Sequence, residues 1–277
     1  MEQTSATLHD PLPAPVPAGG IADELRCRGF ARYGAAGLGL STEAYGNEFA
    51  ELDETYAALP PDPYAPRTNR FRRYSHAVYL PWTRELSFVP GTPDDTYGTV
   101  TEYWQDEHNP EYPDMRRRLA DIPAALQKNP LLLHVIHFDI AQALWLEELS
   151  HAPLYVGVHM IKLAVHDRAE QAVSSPDCLH QDGGSAATFT FAHLVACTNI
   201  RGGDNVIAVA EGAGRQPADL PPRDLHARFA LTEPLDGYAV HDHRVSHYVA
   251  PVRLGDGPGH GERRILIIGL APYAPRL

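Results

Sequence analysis

From residue 153 onward the chain becomes a succession of short, strand-like runs, and this constrains its fold more than any other feature. The runs are PLYVGVHMIKLAVHD (153–167), AATFTFAHLVACTNI (186–200), DNVIAVA (204–210), RFALTEP (228–234), GYAVHD (237–242), RVSHYVAPV (244–252) and RRILIIGLAPY (263–273). Each is rich in β-branched and aromatic residues. Turn chemistry separates them: Gly183-Gly184, Gly202-Gly203, Pro221-Pro222, Asp236-Gly237 and the segment Gly255 to Gly261. Short strands joined by tight turns specify an antiparallel fold, and such sheets close over a ligand most readily as a jelly-roll barrel.

The first half of the chain supplies helices. IADELRCRGFARY (21–33) reads as a short helix, and DMRRRLADIPAALQK (114–128) as a second, kinked or divided at Pro123. NPLLLHVIHFDIAQALWLEELSH (129–151) is the strongest, with Asn129 placed to cap it and Pro130 in its first turn. HAVYLPW (76–82) reads as a strand and residues 60–70 as a Pro-rich loop. The expectation is one α+β domain over 21–277, a double-stranded β-helix (jelly-roll) barrel with supporting N-terminal and central helices. The Pro, Ala and Gly content of residues 1–20 marks a flexible arm without the features of a secretory signal.

Composition narrows the partners. A formal net charge of -12 argues against nucleic acid or an anionic membrane as the main partner. No apolar run approaches the roughly 20 residues that span a bilayer. Three widely spaced cysteines without a CxxC pair argue against a disulfide framework or a structural zinc site and point to a reducing, cytoplasmic setting. Small molecules remain as partners, with oligomeric state open.

Among fifteen histidines, about two His-x-Asp/Glu matches arise by chance, so context must select. The chain has His137/Asp139, His180/Asp182 and His260/Glu262. The first lies inside the strongest helix, where i and i+2 diverge. The last sits in a Gly-rich loop. His180-Gln-Asp182 enters the β region, where i and i+2 share a face and reach one ion together. A third ligand must come from another strand, from His193, His241, His243 or His247; His247 precedes the last strand. Two histidines and one carboxylate suit non-haem iron(II), with zinc the second choice. On the final strand Arg263 and Arg264 are adjacent, and one of them must face the barrel interior, where it can hold a dicarboxylate in a bidentate fork.

The order His180-x-Asp182, His247, then Arg263 resembles the iron(II)/2-oxoglutarate dioxygenases. YVGVHMIKL, LHQDGG, NIRGGDN, RVSHYVAP and RRILIIGL, in that order, resemble more narrowly the bacterial family of free amino-acid hydroxylases that includes L-isoleucine dioxygenase. The resemblance implies His180, Asp182 and His247 as iron ligands. It implies Arg263, with Arg264 the neighbouring alternative, as the holder of 2-oxoglutarate, since a one-residue slip exchanges the faces. It further implies Fe(II), 2-oxoglutarate and O2 as cofactor and co-substrates, and hydroxylation of a small substrate, with desaturation and ring closure as variants. Asp182 argues against halogenation, for which related enzymes lack this carboxylate. Tyr248, after the distal histidine, departs from the small residue expected there.

Arg73, Tyr79, Tyr103, Trp104 and His159 are the candidates for substrate contact, Arg73 for a substrate carboxylate. Two other readings of the barrel stand beside the oxygenase: a cupin-like zinc or iron hydrolase or isomerase, and a non-catalytic ligand-binding barrel.

Overall fold

The computed structural model describes residues 18–40, 45–105, 111, 115–183 and 185–274. Helix α1 (Ala18–Arg28) leads into strand β1 (Phe30–Tyr33), helix α2 (Gly46–Ala57) and strands β2 (Arg70–Leu80), β3 (Glu85–Phe88), β4 (Thr92–Asp94), β5 (Gly98–Tyr103) and β6 (Arg117–Ala120). Helices α3 (Pro130–Ala143) and α4 (Glu147–Ser150) follow. The β half then comprises β7 (Leu154–Val165), β8 (Phe189–Thr198), β9 (Ile200–Gly202), β10 (Asn205–Val209), β11 (Leu225–Phe229), β12 (Gly237–His241), β13 (Val245–Val249), β14 (Val252–Leu254) and β15 (Gly261–Pro272). No helix among the described residues is long and apolar enough to cross a membrane.

The major sheet has the order β1-β12-β8-β15-β7-β2-β3, and its neighbours pair antiparallel. Its outer face carries Val156, Val158, Met160, Phe191, Leu266 and Ile268 against Ile21, Leu52, Leu132, Val135 and Ile136 of the helices. On its inner face Ala192, Leu194, Tyr238 and Ile265 pack against Ile207, Phe229 and Val245 of a three-stranded sheet ordered β11-β10-β13. Two facing sheets with helices on one outer side form the jelly roll that the run of short strands implies. β7 and β15 read as continuous apolar runs because both of their faces are covered.

Strand register fixes which side chains look inward. Across β2, β7 and β15 the residues align in rows: Arg70, Leu163 and Arg263; Arg72, Ile161 and Ile265; Tyr74, His159 and Ile267. Partners in a row share a face, and the next row on that face is two residues away.

Asn129 caps α3 as expected, its side chain accepting from the Leu132 amide at 3.1 Å. Other local expectations need correction. Of the helix expected over 114–128, residue 114 lies outside the described part and residues 115–128 do not form an α-helix. Arg117–Ala120 pair with β5, and only Leu126–Lys128 make a short 3-10 turn. Alternation of buried Arg117 and Leu119 with exposed Arg118 outweighs helix propensity there. The first helix spans Ala18–Arg28 instead of 21–33, so it takes in the last three residues of the arm expected over 1–20; residues 1–17 lie outside the described part. It ends at Gly29, whose φ of +80° breaks the turn, and Phe30–Tyr33 become a strand on β12. The strand expected over 76–82 begins six residues earlier, at Arg70. The strand expected over 228–234 is Leu225–Phe229.

Candidate metal centre

His180 joins β13 through a backbone bridge. Its amide donates to the His247 carbonyl and the His247 amide donates back, both at 2.9 Å. Residues opposed in this way project on the same side, and the two rings lie 4.3 Å apart between centroids. Asp182, two residues on, turns its carboxylate to the same point. One donor atom from each of His180, Asp182 and His247 falls within 4.8 Å of the others, and Asp182 Oδ2 is 3.4 Å from His247 Nε2.

The protonation pattern suits a cation. His180 Nδ1 donates to the Cys178 carbonyl at 2.8 Å, which leaves the Nε2 lone pair for a ligand. Burial, followed by the neighbouring His247, lowers the His180 pKa to about 4, so the ring is neutral at pH 7. Burial alone favours a protonated Asp182, but the hydrogen bond and charge of His247, then His180 and Thr190, hold it well below the usual carboxylate range. Burial also opposes charge on His247, yet Asp182 and Asp242 outweigh it and raise its pKa. The donor set therefore fits a divalent ion: a neutral imidazole, a carboxylate, and a second imidazole that gives up its proton when a cation arrives.

A polar shell fixes these side chains. Asp242 is fully buried; its Oδ1 accepts from the Asp182 amide at 2.9 Å and lies 3.7 Å from His247 Nδ1. Thr190 Oγ1 lies 3.0 Å from Asp182 Oδ2 and 2.9 Å from Asp242 Oδ2. A hydroxyl has one hydrogen, so both contacts are satisfied when Asp242 brings a second. Burial and then the charge of Asp182 push Asp242 up to about 7, in keeping with that proton. Asp182 Oδ1 accepts from Gln105 Nε2 at 2.9 Å, and Gln105 Oε1 accepts from Arg117 Nη2 at 2.6 Å.

The other histidines are engaged elsewhere. His193 Nε2 bonds Asp139 Oδ2 at 2.8 Å beneath α3. His241 Nε2 bonds the Ala186 carbonyl at 2.6 Å and its ring stacks on Phe189, while His243 is exposed. Tyr248 turns away from the centre, its hydroxyl donating to Asp177 Oδ1 at 3.2 Å. His260 is exposed and pairs with Glu262 at 3.3 Å.

The adjacent arginines part company. Arg264 lies on the outer face, bound to Glu262 and Asp53 at 2.6 Å each. Arg263 is buried in the interior, donates to Asn205 Oδ1 at 3.2 Å, and lines a cavity with Ser174, Tyr238, Ile161 and Ile265.

The structure divides the substrate candidates. Arg73 and Tyr79 lie on the outer face of β2: Arg73 donates to the Asp121 carbonyl at 2.6 Å, and Tyr79 packs edge-on against His137 of α3. Tyr103 and His159 face inward with ring centroids 4.8 Å apart, and half-buried Trp104 lies between Tyr103 and Gln105 in the chain. Inward-facing Arg72, and the Gln105, Arg117, Thr190 and Asp242 shell, were not singled out from sequence. Strand parity was the missing signal: once β2 begins at Arg70, Arg72 and Tyr74 share a face that excludes Arg73 and Tyr79.

Comparison with known proteins agrees with this geometry. A family model described as 2OG-Fe dioxygenase matches residues 53–269. No curated protein matches the chain by sequence. Among solved structures, IDO from Bacillus thuringiensis is 20% identical, with 93% of this chain and 96% of that chain covered and a TM-score of 0.69. A bsmA homolog from Methylobium petroleophilum PM1 is 18% identical, with 96% and 98% covered and a TM-score of 0.73. The Fe(II)/(alpha)ketoglutarate-dependent dioxygenase TqaL is 13% identical, with 94% and 88% covered and a TM-score of 0.67. These likenesses establish the shared fold. With a family model spanning most of its length, the chain belongs to the 2OG-Fe dioxygenase family, whose members use Fe(II), 2-oxoglutarate and O2, and its His180, Asp182 and His247 cluster could hold a metal ion.

Proposed function

We propose that the protein hydroxylates an unactivated C–H bond of a free L-amino acid or a closely related small metabolite. The observation that carries this is the His180, Asp182 and His247 cluster in the same barrel interior as the buried guanidinium of Arg263. In this reading the three side chains hold iron(II), and Arg263 takes the distal carboxylate of 2-oxoglutarate. Arg264, tied to Glu262 and Asp53 on the outer face, has no part in it. Bound there, iron(II) supplies the activation of O2 and a coordination site for the keto acid. The balance is simple: O2 accepts four electrons, two from the oxidative decarboxylation of 2-oxoglutarate and two from the substrate. One oxygen atom enters succinate, the other the alcohol, and CO2 leaves.

The protein's own groups do the positioning. The Cys178 carbonyl orients His180, and Asp242 lies beside both the Asp182 amide and His247. Apolar Ile161 and Ile265 wall the cavity at Arg263, strengthening its hold on an anion by excluding water. The IDO likeness supports a free amino acid as substrate.

The test is succinate release by purified protein with iron(II), ascorbate, 2-oxoglutarate and O2, with and without a pool of free L-amino acids. Stimulation by one amino acid, absent in Asp182→Ala, is the expected result. No stimulation by any of them overturns the amino-acid reading.

A further inference from the structure

On the inner face, arginines occur on both sides of β7. Arg263 on β15 shares a row with Leu163 and Arg70, and Arg72 on β2 shares the next row with Ile161 and Ile265. Two strand spacings, about 10 Å, separate the β2 and β15 arginines. The two sides differ in their surroundings. Arg263 meets a neutral amide, Asn205, in an apolar cavity. The β2 side gathers Arg70, Arg72 and Arg117, all buried.

Arg70 is committed to Asp62, with Nε at 3.0 Å and Nη2 at 2.6 Å from Oδ2. Arg72 reaches the same carboxylate only at 3.9 Å. Its close contact is instead Nη2 to His159 Nδ1, 2.6 Å, and its Nε has no hydrogen-bond partner. A guanidinium only donates, so His159 Nδ1 must accept and the ring is neutral. Burial and then the charges of Arg72 and Arg117 agree, holding the His159 pKa well below its usual value. Arg72 therefore carries a buried positive charge against a neutral imidazole and a shared, more distant carboxylate. The Arg72 and Arg117 guanidiniums pack over the Tyr103 ring, 4.8 and 4.5 Å from its centroid. Through Gln105, Arg117 connects this group to Asp182. A positively charged cluster packed on an aromatic ring thus connects to the metal-binding side chains, two strands across the sheet from Arg263.

We propose that Arg72, joined by Arg117 across the Tyr103 ring, forms a subsite for a carboxylate of the molecule being oxidised. This rests on the dioxygenase reading and deepens it: one arginine side receives 2-oxoglutarate, the other the prime substrate. A planar guanidinium with an unused Nε–H offers the fork that a carboxylate matches. The substrate class is then small acids, amino acids among them, and the amide or ester of the same molecule is a poor ligand.

The experiment uses the full chain loaded anaerobically with iron(II) and 2-oxoglutarate, read by the visible charge-transfer absorption of the chelated keto acid. L-amino acids, N-acyl amino acids and 2-hydroxy acids are titrated, each beside its primary amide. At least one acid shifts the band, and its amide requires a roughly 10- to 100-fold higher concentration, as expected for losing a charge-assisted hydrogen bond. Arg72→Gln weakens the response to that acid by a similar factor, and Arg72→Lys by less. If Arg72→Gln does not fold, the acid–amide comparison in the unaltered protein still decides. A band that no acid shifts, equal potency of acid and amide, or an Arg72→Gln effect on 2-oxoglutarate in place of the acid overturns the subsite. Absence of the band with iron(II) and 2-oxoglutarate alone overturns the dioxygenase reading as well, and so is told apart from failure of the subsite.

Discussion

Two histidine–aspartate pairs lie on opposite sides of the major sheet. Beneath α3, His193 and Asp139 bond at 2.8 Å with no exposed surface on either side chain. On the inner face, His247 and Asp182 lie 3.4 Å apart, and Asp182 keeps about a quarter of its side chain open. The residue types match, yet the settings push the carboxylates in opposite directions. Burial raises the Asp139 pKa despite its histidine, whereas His247, His180 and Thr190 hold Asp182 low despite burial. The outer pair has two members, an apolar surround and the Tyr33 ring 5.8 Å from His193. The inner group adds a second imidazole, partial access and a shell of donors. Convergence of a third ligand and an opening for a cation, not the pairing itself, separate a metal centre from a buried polar tie.

Substitution of the two aspartates is expected to have the largest effects. Asp182→Ala is expected to abolish iron binding and succinate formation, and to remove the lowering of Tm that a chelator causes in the iron-loaded protein. Iron retained at full stoichiometry in that variant ends the comparison. Asp139→Ala leaves the His193 ring buried without its partner and is expected to cost about 3 kcal/mol of folding stability by denaturant titration, with iron per folded molecule unchanged.

Asp242 sharpens the contrast further, because the outer pair has no counterpart. Asp242→Asn alters the contacts to the Asp182 amide and His247 while keeping the volume. Iron affinity is expected to fall roughly 10- to 100-fold, the usual effect of losing a group that orients a metal ligand; competition with a chromogenic chelator measures it. The smallest effect is one of pH. Native Asp139 binds a proton more tightly than the unfolded chain does, so its contribution is full below about pH 4 and is lost as pH rises towards the native pKa. The stability difference between unaltered protein and Asp139→Asn should therefore shrink or reverse as pH climbs from about 4 to 8. A difference independent of pH contradicts the raised pKa.

What could be read along the chain depended on the reach of each interaction. His180 and Asp182 are two residues apart, so extended backbone alone predicts a shared face. Asn129 caps the helix that starts next to it. His247 could only be placed among four histidines, because its meeting with His180 is a pairing across 67 residues of chain. The 114–128 segment misled for the same reason: its apolar spacing suits a helix, but its partner, β5, lies elsewhere in the chain.

The sequence by itself determined the class of fold, the His-x-Asp core of the site and the iron and 2-oxoglutarate chemistry of the family. The class of fold and the His-x-Asp pair follow from local periodicity and turn residues, which need no knowledge of neighbours; the iron and 2-oxoglutarate chemistry is implied by the resemblance of the motif order to a known family. Tertiary structure alone decided that Arg263 faces inward while Arg264 binds Glu262 and Asp53, that Arg72 displaces Arg73 from the interior, and that Asp242 and Thr190 brace the carboxylate. The physical reason is strand parity. A shift of one residue exchanges inside for outside, and only pairing between distant strands sets that register.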